Sequence, residues 1–195
     1  MRITPEDIIR TADTMNLPKK FVIDQDNEEV INTLLHYFNG EEGKLDHNKG
    51  IMLFGRVGCG KTTLMKIISK NYRERGGWIF GVAECRKIAI NYSADWDEVL
   101  DYYGYINNKR RPYLSGWCFD DLGTENDGKN YGNSLNVMLE ILSRRYSETG
   151  YHRHTHITTN SSPDELLNRY GTRLNDRFRE MFNILAYPPH AKSRR

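Results

Sequence analysis

Hydrophobic positions along the chain form two kinds of pattern, which are short runs and longer stripes with helical spacing. The runs predict five strands, at residues 51–54, 78–82, 117–119, 154–159 and 182–187. The clearest stripe lies at Leu135, Met138, Leu139, Leu142 and Tyr146, which predicts a helix over residues 132–149. Because strands alternate with helices, we expect a three-layer α/β domain built on a five-stranded parallel sheet.

Capping residues and glycines set the expected limits of the other helices. Thr4 and Pro5 begin a helix that ends before Pro18, and Asp26 with Glu29 resembles a capping box for a helix that Gly40 ends. Further helices are predicted at residues 62–75, 95–104, 162–171 and 172–180. The first helix is either a docking arm or a helix packed on the domain's edge, and the residues after 187 are expected to be frayed.

One glycine-rich stretch stands directly between a predicted strand and a predicted helix. Residues 55–62 read G-R-V-G-C-G-K-T, which fits the phosphate-loop pattern G-x-x-x-x-G-K-[ST]. In this pattern the backbone N–H groups cradle phosphate, the lysine reaches the β and γ phosphates, and the hydroxyl binds Mg²⁺. The predicted nucleotide-binding residues are Gly55, Arg56, Val57, Gly58, Cys59, Gly60, Lys61, Thr62 and Thr63.

Polar side chains follow two other predicted strands. Asp120 and Asp121 come after an apolar run, and Asn160 follows the strand at residues 154–159. Since ligands bind at the carboxyl ends of parallel strands, these side chains should meet the phosphate loop. One carboxylate can then hold Mg²⁺ opposite Thr62 while the other orients or deprotonates water. Without the phosphate loop, the same residues would be read as a simple turn.

Composition is that of a globular, single-domain protein. The 195 residues are 38% hydrophobic, and neither a membrane span nor a secretory signal is recognisable, so we expect a cytoplasmic protein with no membrane partner. Three widely spaced cysteines fit neither a disulfide framework nor a zinc site. Alkylation of Cys59 should nevertheless block nucleotide binding.

Charge and aromatic residues raise the question of nucleic-acid binding. From residue 143 onward ten basic residues face five acidic ones, a net +5, while the preceding part carries −3. A stretch around residues 102–113 interleaves aromatic and basic groups, a composition suited to stacking bases and neutralising phosphates. The candidate contacts are Tyr103, Tyr105, Lys109, Arg110 and Arg111. A solvated basic face and ordinary aromatic packing explain the same observations.

The order of these motifs resembles the DnaC/IstB branch of AAA+ ATPases over roughly residues 20–187. The blocks that carry the resemblance are the phosphate loop, the Asp120-Asp121-x-Gly123 strand end, residues 143–146, residues 158–160, and the block from Tyr170 and Gly171 to Phe178. The resemblance implies a P-loop NTPase fold with strand order 5-1-4-3-2. It also implies an ATPase domain at residues 21–187, preceded by a helical arm (1–20) and followed by a basic tail (188–195).

Roles for individual residues follow from the resemblance. It makes Asp120 and Thr62 the magnesium ligands, Asp121 the water-activating acid, Asn160 the sensor residue, and Arg177 an arginine finger offered in trans, with Arg173 as its competitor. Three departures matter. Only about twenty residues precede the resemblance, where helicase loaders usually carry a helicase-binding domain. Asp121 stands where many AAA+ proteins have Glu, which suggests slow turnover, and too few residues follow the finger block for a C-terminal helical lid.

The expected function is ATP binding and hydrolysis with Mg²⁺, by a nucleotide-dependent homo-oligomer that acts with single-stranded DNA and a replicative helicase or a transposase. The chain would be a DnaC-like helicase loader or primosome component, or an IstB-like transposition helper. A nucleotide-gated binding switch with little turnover is the second hypothesis. The third is a small-molecule kinase. Such enzymes usually have arginines in a closing lid, whereas the basic residues here cluster after Asn160.

Overall fold

The computed structural model describes residues 2–76, 80–105, 116–130, 133–148 and 152–194. Its helices are α1 (Pro5–Asp13), α2 (Glu28–Phe38), α3 (Lys61–Glu74), α4 (Cys85–Tyr92), α5 (Trp96–Gly104), α6 (Val137–Ser147) and α7 (Pro163–Met181). Its strands are β1 (Gly50–Phe54), β2 (Phe80–Glu84), β3 (Gly116–Leu122), β4 (Gly128–Asn130), β5 (Asn133–Leu135), β6 (Thr155–Thr159) and β7 (Phe182–Ala186).

Five strands form a parallel sheet in the spatial order β2-β3-β6-β1-β7. When these five strands are numbered 1 to 5 by their order in the sequence, the spatial order read from β7 to β2 is 5-1-4-3-2. This confirms the expected strand order. β4 and β5 form a separate antiparallel pair. β1 lies between β6 and β7, so the segment that follows it, the phosphate loop, lies between the ends of these two strands.

Helices cover both faces of the sheet, as a parallel sheet requires. Ile51 and Leu53 point into a core that α1, α2 and α3 share. Met52, between them, points into the opposite core, formed with α4 to α7. Alternate side chains of β1 therefore enter two cores, one on each face of the sheet, which gives three layers. Full burial of each such side chain contributes about 1.5–3 kcal/mol to the free energy of unfolding.

The first helix belongs to the first of these cores. Thr4 is its N-cap and Pro5 its first residue, as predicted, and Asp7 completes a capping box with Thr4. Ile8 is completely buried, and Asn71 of α3 donates to the Thr11 hydroxyl at 2.6 Å. Arg75, just after α3, forms a 2.7 Å ion pair with Asp7. Residues 5–13 are thus packed against α3.

Several predicted boundaries were wrong, each for a local reason. The helix expected from Asp26 begins at Glu28, because the buried Asp26 carboxylate accepts the backbone N–H of Lys192 instead of capping. The helix expected from residue 132 begins at Val137, after the β4–β5 hairpin and with Asn136 as its cap. α4 was not predicted. The break expected at Gly171 is present, because α7 consists of two helical stretches that meet at Gly171, whose φ of 78° and ψ of 167° are not helical.

The prediction of a frayed tail was also wrong. Ala191 is buried, and the Arg194 backbone N–H donates to Gly58 O at 2.8 Å. Residues 187–194, which we call the C-terminal strap, therefore run from the end of β7 across the phosphate loop. On its other side the strap contacts Val22, Asp24 and Asp26.

Candidate nucleotide-binding site

The phosphate loop takes its shape from glycines in conformations that other residues rarely adopt. Gly58 and Gly60 have φ values of 85° and 106°. A side-chain carbon at Gly55 would lie 2.8 Å from the Cys59 sulfur, so the loop closes too tightly there for any other residue. α3 begins immediately after Gly60, which directs its unpaired N-terminal N–H groups at the loop's interior. The backbone is therefore arranged to bind an anion.

Lys61 is only 4% exposed and is held from two directions. Its ammonium group donates to the carbonyl oxygens of Gly55 at 2.8 Å and Arg56 at 3.1 Å. It also donates to the Asn160 amide oxygen at 2.5 Å. The predicted phosphate-binding lysine and the predicted sensor residue, 99 positions apart, are thus in direct contact.

Thr62 and Asp120 form the adjoining part of the site. The Thr62 hydroxyl donates to Asp120 Oδ1 at 2.7 Å, and the Thr158 hydroxyl of β6 donates to the same oxygen at 2.6 Å. Burial raises the pKa of the Asp120 carboxyl, and these two hydrogen bonds oppose that shift. A partly desolvated carboxylate beside a threonine hydroxyl is a suitable oxygen pair for Mg²⁺, which commonly binds one or two protein oxygens together with phosphate.

Asp121 lies at an irregularity in β3, where the register with β6 shifts between Phe119 and Leu122. Its φ of 55° is the single positive value at a non-glycine position within the described ranges. The Thr158 hydroxyl accepts the Asp121 backbone N–H at 3.0 Å, and Asn160 Nδ2 donates to Asp121 Oδ1 at 2.9 Å. The bulge therefore turns two successive carboxylates to the same side, with Asp120 toward Thr62 and Asp121 toward Asn160.

A cavity of about 660 Å³ opens beside these groups. It is large enough for a nucleoside triphosphate. The glycine loop and the buried lysine fit the phosphates of ATP, and the Thr62–Asp120 pair fits Mg²⁺. Sequence reasoning identified one side of this cavity. The other side consists of residues 17–22, Asp24, Ser193 and Arg194, which carry no recognisable motif.

Arg194 is the main contact between the C-terminal strap and the phosphate loop. Its Nε donates to the Cys59 carbonyl at 3.2 Å, and its NH2 group donates to Asp24 Oδ1 at 2.7 Å. The hydrogen bond from Arg194 lowers the pKa of Asp24. A positive charge is therefore fixed against the outside of the phosphate loop, at a position that the expectation of a frayed tail missed.

A second cavity, of about 380 Å³, lies at the opposite end of the sheet. Phe38, Phe80 and His156 are among its lining residues. Burial lowers the pKa of His156 to about 3, so its imidazole is neutral there. This cavity lacks a glycine loop, and its aromatic lining does not suit a polyphosphate.

The block from Tyr170 to Phe178, which contains the predicted arginine finger, includes both residues buried in the core and exposed residues. Tyr170 donates to the buried Glu125 carboxylate, whose other oxygen accepts the Gly123 N–H at 2.9 Å. Glu125 therefore ties α7 to the turn that follows Asp121, a role that sequence reasoning missed. Arg177 lies over the Tyr146 ring, with its guanidinium carbon 4.5 Å from the ring centroid.

The candidate nucleic-acid contacts have different environments. Tyr103 is half-buried and packs on Trp117, with 4.8 Å between the ring centroids. Tyr105 is 41% exposed and lies beside Arg144, whose guanidinium carbon is 5.5 Å from its ring. Lys109, Arg110 and Arg111 lie outside the described residues.

Cys59, Cys85 and Cys118 are all buried and free. Burial raises the pKa of each thiol. Protonated, enclosed thiols are poor nucleophiles, so this arrangement does not suit redox chemistry.

Within the described ranges, no three or more His, Cys, Asp or Glu residues form a group that could hold a metal ion. Nor does any helix there have the length and apolar character needed to span a membrane.

Comparison with known proteins agrees with this geometry. Residues 38–172, which contain the phosphate loop, the β3 carboxylates and Asn160, match the family model described as ABC transporter. No curated protein matches the sequence.

Solved structures with the same fold include replication proteins. A DnaC helicase loader is 22% identical, with a TM-score of 0.60 and coverage of 92% of this chain and 99% of its own. A protein described as a primosome component, from Streptococcus pyogenes serotype M3, is 19% identical, with a TM-score of 0.64 and coverage of 97% and 100%. The replication initiator DnaA, bound to AMPPCP and single-stranded DNA, is 18% identical, with a TM-score of 0.61 and coverage of 89% and 50%.

The matched range and the structural neighbours both include the phosphate loop and the strand ends that carry Asp120, Asp121 and Asn160 in this chain. The chain belongs to the ABC transporter family, and its fold is like those of the DnaC helicase loader and the primosome component.

Proposed function

We propose that this protein is a Mg²⁺-dependent ATPase that assembles into an oligomer on a nucleic-acid-bound partner, in the manner of a replicative helicase loader. The observation that carries the proposal is one continuous hydrogen-bonded chain of side chains at the carboxyl edge of the sheet. It runs from Thr62 through Asp120 and Thr158 to the Asp121 backbone, and from the Asp121 carboxylate through Asn160 to Lys61.

Each member of this chain has a task in hydrolysis. The loop N–H groups and Lys61 bind the phosphates, and Asn160 is placed to hydrogen-bond the γ-phosphate or the attacking water. Asp121, held by Asn160, orients that water and accepts its proton. Mg²⁺, held by Thr62 and Asp120, would neutralise charge that develops on the β and γ oxygens.

An arginine from a neighbouring subunit would complete the site. We assign this role to Arg177, which lies on α7 and is partly exposed. Hydrolysis would then depend on assembly, because a guanidinium supplied in trans stabilises the transferring phosphoryl group only across an interface. Turnover should therefore rise more steeply than linearly with protein concentration.

The structural neighbours support a replication role over a transposition role. They include a helicase loader and a primosome component, and DnaA is bound to single-stranded DNA. A helicase and single-stranded DNA are accordingly the partners we propose, with Tyr105 and Arg144 as contacts to test first.

The test combines binding with turnover. Lys61→Ala should abolish ATP binding in a titration, and unchanged affinity would contradict the assignment of the site. Arg177→Ala should leave binding intact and remove the concentration-dependent part of hydrolysis, measured with and without single-stranded DNA.

An ATP-gated switch with little turnover is the second candidate. The position of Asp121 favours it, since a short carboxylate at a left-handed position already has Asn160 as a partner. Single-turnover measurements distinguish the two functions. Release of phosphate in the assembled state supports the enzyme, whereas tight binding without release supports the switch.

A further inference from the structure

The proposed finger is held in place by an aromatic residue of a different helix. Arg177 of α7 has its guanidinium carbon 4.5 Å from the centroid of the Tyr146 ring of α6. This distance lies within the range of a cation–π interaction, and arginine stacks on aromatic faces more readily than lysine does.

Tyr146 itself contacts two further residues, Glu180 and His152. Its hydroxyl donates to Glu180 Oε2 at 2.7 Å, and Glu180 lies three residues beyond Arg177 on the same helix. The His152 ring lies nearly parallel to the Tyr146 ring, at 13°, with 5.7 Å between centroids. His152 Nε2 is also 3.1 Å from the Tyr146 carbonyl oxygen. The ring on which Arg177 rests is therefore held by contacts with both Glu180 and His152.

Arg173, one helical turn earlier, provides the contrast. It is exposed, and within the described residues it makes no hydrogen bond, ion pair or cation–π contact. The two arginines share a helix and a charge, but Arg177 is the one whose side chain is restrained. This difference distinguishes the two residues that sequence reasoning could not separate.

We propose that Tyr146 is a positioning residue for Arg177, and that it presents the guanidinium to the neighbouring subunit's nucleotide in a restricted set of conformations. The inference rests on the proposed role of Arg177 in trans. An unrestrained arginine loses side-chain entropy when it inserts, whereas one already stacked on a fixed ring loses less. Tyr146 then raises kcat without changing the KM for ATP, since the ring belongs to the subunit that supplies the finger.

The experiment uses mixed subunits in the full-length chain. A Lys61→Ala chain cannot bind ATP but supplies Arg177, and an Arg177→Ala chain binds ATP but supplies no finger. Mixed together with ATP, Mg²⁺ and single-stranded DNA, the two chains should recover hydrolysis that neither has alone. If they do not, the proposed trans finger is wrong, and the inference about Tyr146 has no basis.

The second step adds Tyr146→Leu to one chain at a time. On the Lys61→Ala chain it should lower the recovered kcat about two- to fivefold, the change expected for loss of a partly exposed cation–π contact. On the Arg177→Ala chain it should have no effect, which makes this arrangement the matched control for misfolding. Tyr146→Phe, which keeps the ring, should restore kcat to within about twofold when placed on the Lys61→Ala chain.

Three outcomes would overturn the inference once the parental mixture is active. Equal losses on both chains would mean a structural role for Tyr146. No loss on the finger-supplying chain would mean that the ring does not matter. A gain on that chain would mean that Tyr146 withholds Arg177 rather than presenting it.

Discussion

Lys61 Nζ lies 2.5 Å from Asn160 Oδ1, so the lysine that we propose to bind phosphate and the asparagine that we propose to sense it share a hydrogen bond. Replacing the amide by a carboxylate should convert this contact into an ion pair and place a negative charge beside the γ-phosphate position. We therefore expect Asn160→Asp to weaken ATP binding at least tenfold, or ~1.4 kcal/mol.

Asn160→Ala is the matched variant for that prediction. It removes the contact without adding charge, so ATP affinity should change little while kcat falls. Calorimetric titration and steady-state hydrolysis measure the two quantities. Wild-type ATP affinity in Asn160→Asp would show that the Lys61–Asn160 contact is unimportant to the bound phosphates.

Asp121→Asn keeps the size of the side chain and removes its charge. Since asparagine tolerates the left-handed φ of 55°, the fold should be unaffected. Loss of a general base should lower kcat by about 10²-fold or more with unchanged ATP affinity. Asp97→Asn, an exposed position in the first turn of α5, provides the surface control.

Asp121→Glu tests the conformation instead of the charge. Glutamate is disfavoured at a positive φ, so this variant should be less stable than Asp121→Asn in thermal unfolding, even though it restores the residue common in AAA+ proteins. Equal melting temperatures would contradict the idea that the bulge selects aspartate.

Arg194 fixes a positive charge against the phosphate loop, so its removal should weaken ATP binding. We expect Arg194→Ala to raise the Kd for ATP about tenfold, or ~1.4 kcal/mol. Lys192→Ala is the control, because the exposed Lys192 contributes its backbone N–H to the contact with Asp26. If both variants behave alike, general charge rather than the Arg194 contact controls affinity.

Folding stability should decrease as the pH falls below about 6.5. Burial lowers the pKa of His156 from 6.5 to about 3, and its Nδ1 accepts the Ile51 N–H. Between these values the unfolded chain binds a proton that the folded chain excludes, so acid favours unfolding. The loss from this residue should be about 2 kcal/mol between pH 7 and pH 5.

Denaturant titrations of the wild type and His156→Asn at the two pH values test this prediction. Asparagine retains an acceptor for the Ile51 N–H but does not titrate. The variant should be less stable at pH 7 and less sensitive to acid. An unchanged difference between pH 7 and pH 5 would assign the acid sensitivity to other groups.

The sequence predicted best those features of the site that are determined by residues adjacent in the chain. The phosphate loop could be predicted because its glycines, lysine and threonine are adjacent, and the carboxylates because they follow an apolar run. That Asn160 contacts Lys61 also follows from parallel strands meeting at one edge.

Contacts between distant segments could not be predicted in the same way. Arg194 reaches Asp24 across 170 positions, and Tyr170 reaches Glu125 across 45, with no spacing rule to connect them. The β4–β5 pair was missed because its residues lack the alternation of apolar and polar side chains typical of strands. Asp26 was wrongly predicted to be a helix cap because its partner, the backbone N–H of Lys192, is far away in the sequence.

The path of the C-terminal strap has a practical consequence for anyone handling this protein. Since the backbone N–H of Arg194 donates to Gly58 O, a fluorophore attached to the C-terminal strap would lie beside the candidate nucleotide cavity. Such a label would act as a reporter of nucleotide occupancy. The same label would be a poor choice for any measurement that requires an undisturbed affinity.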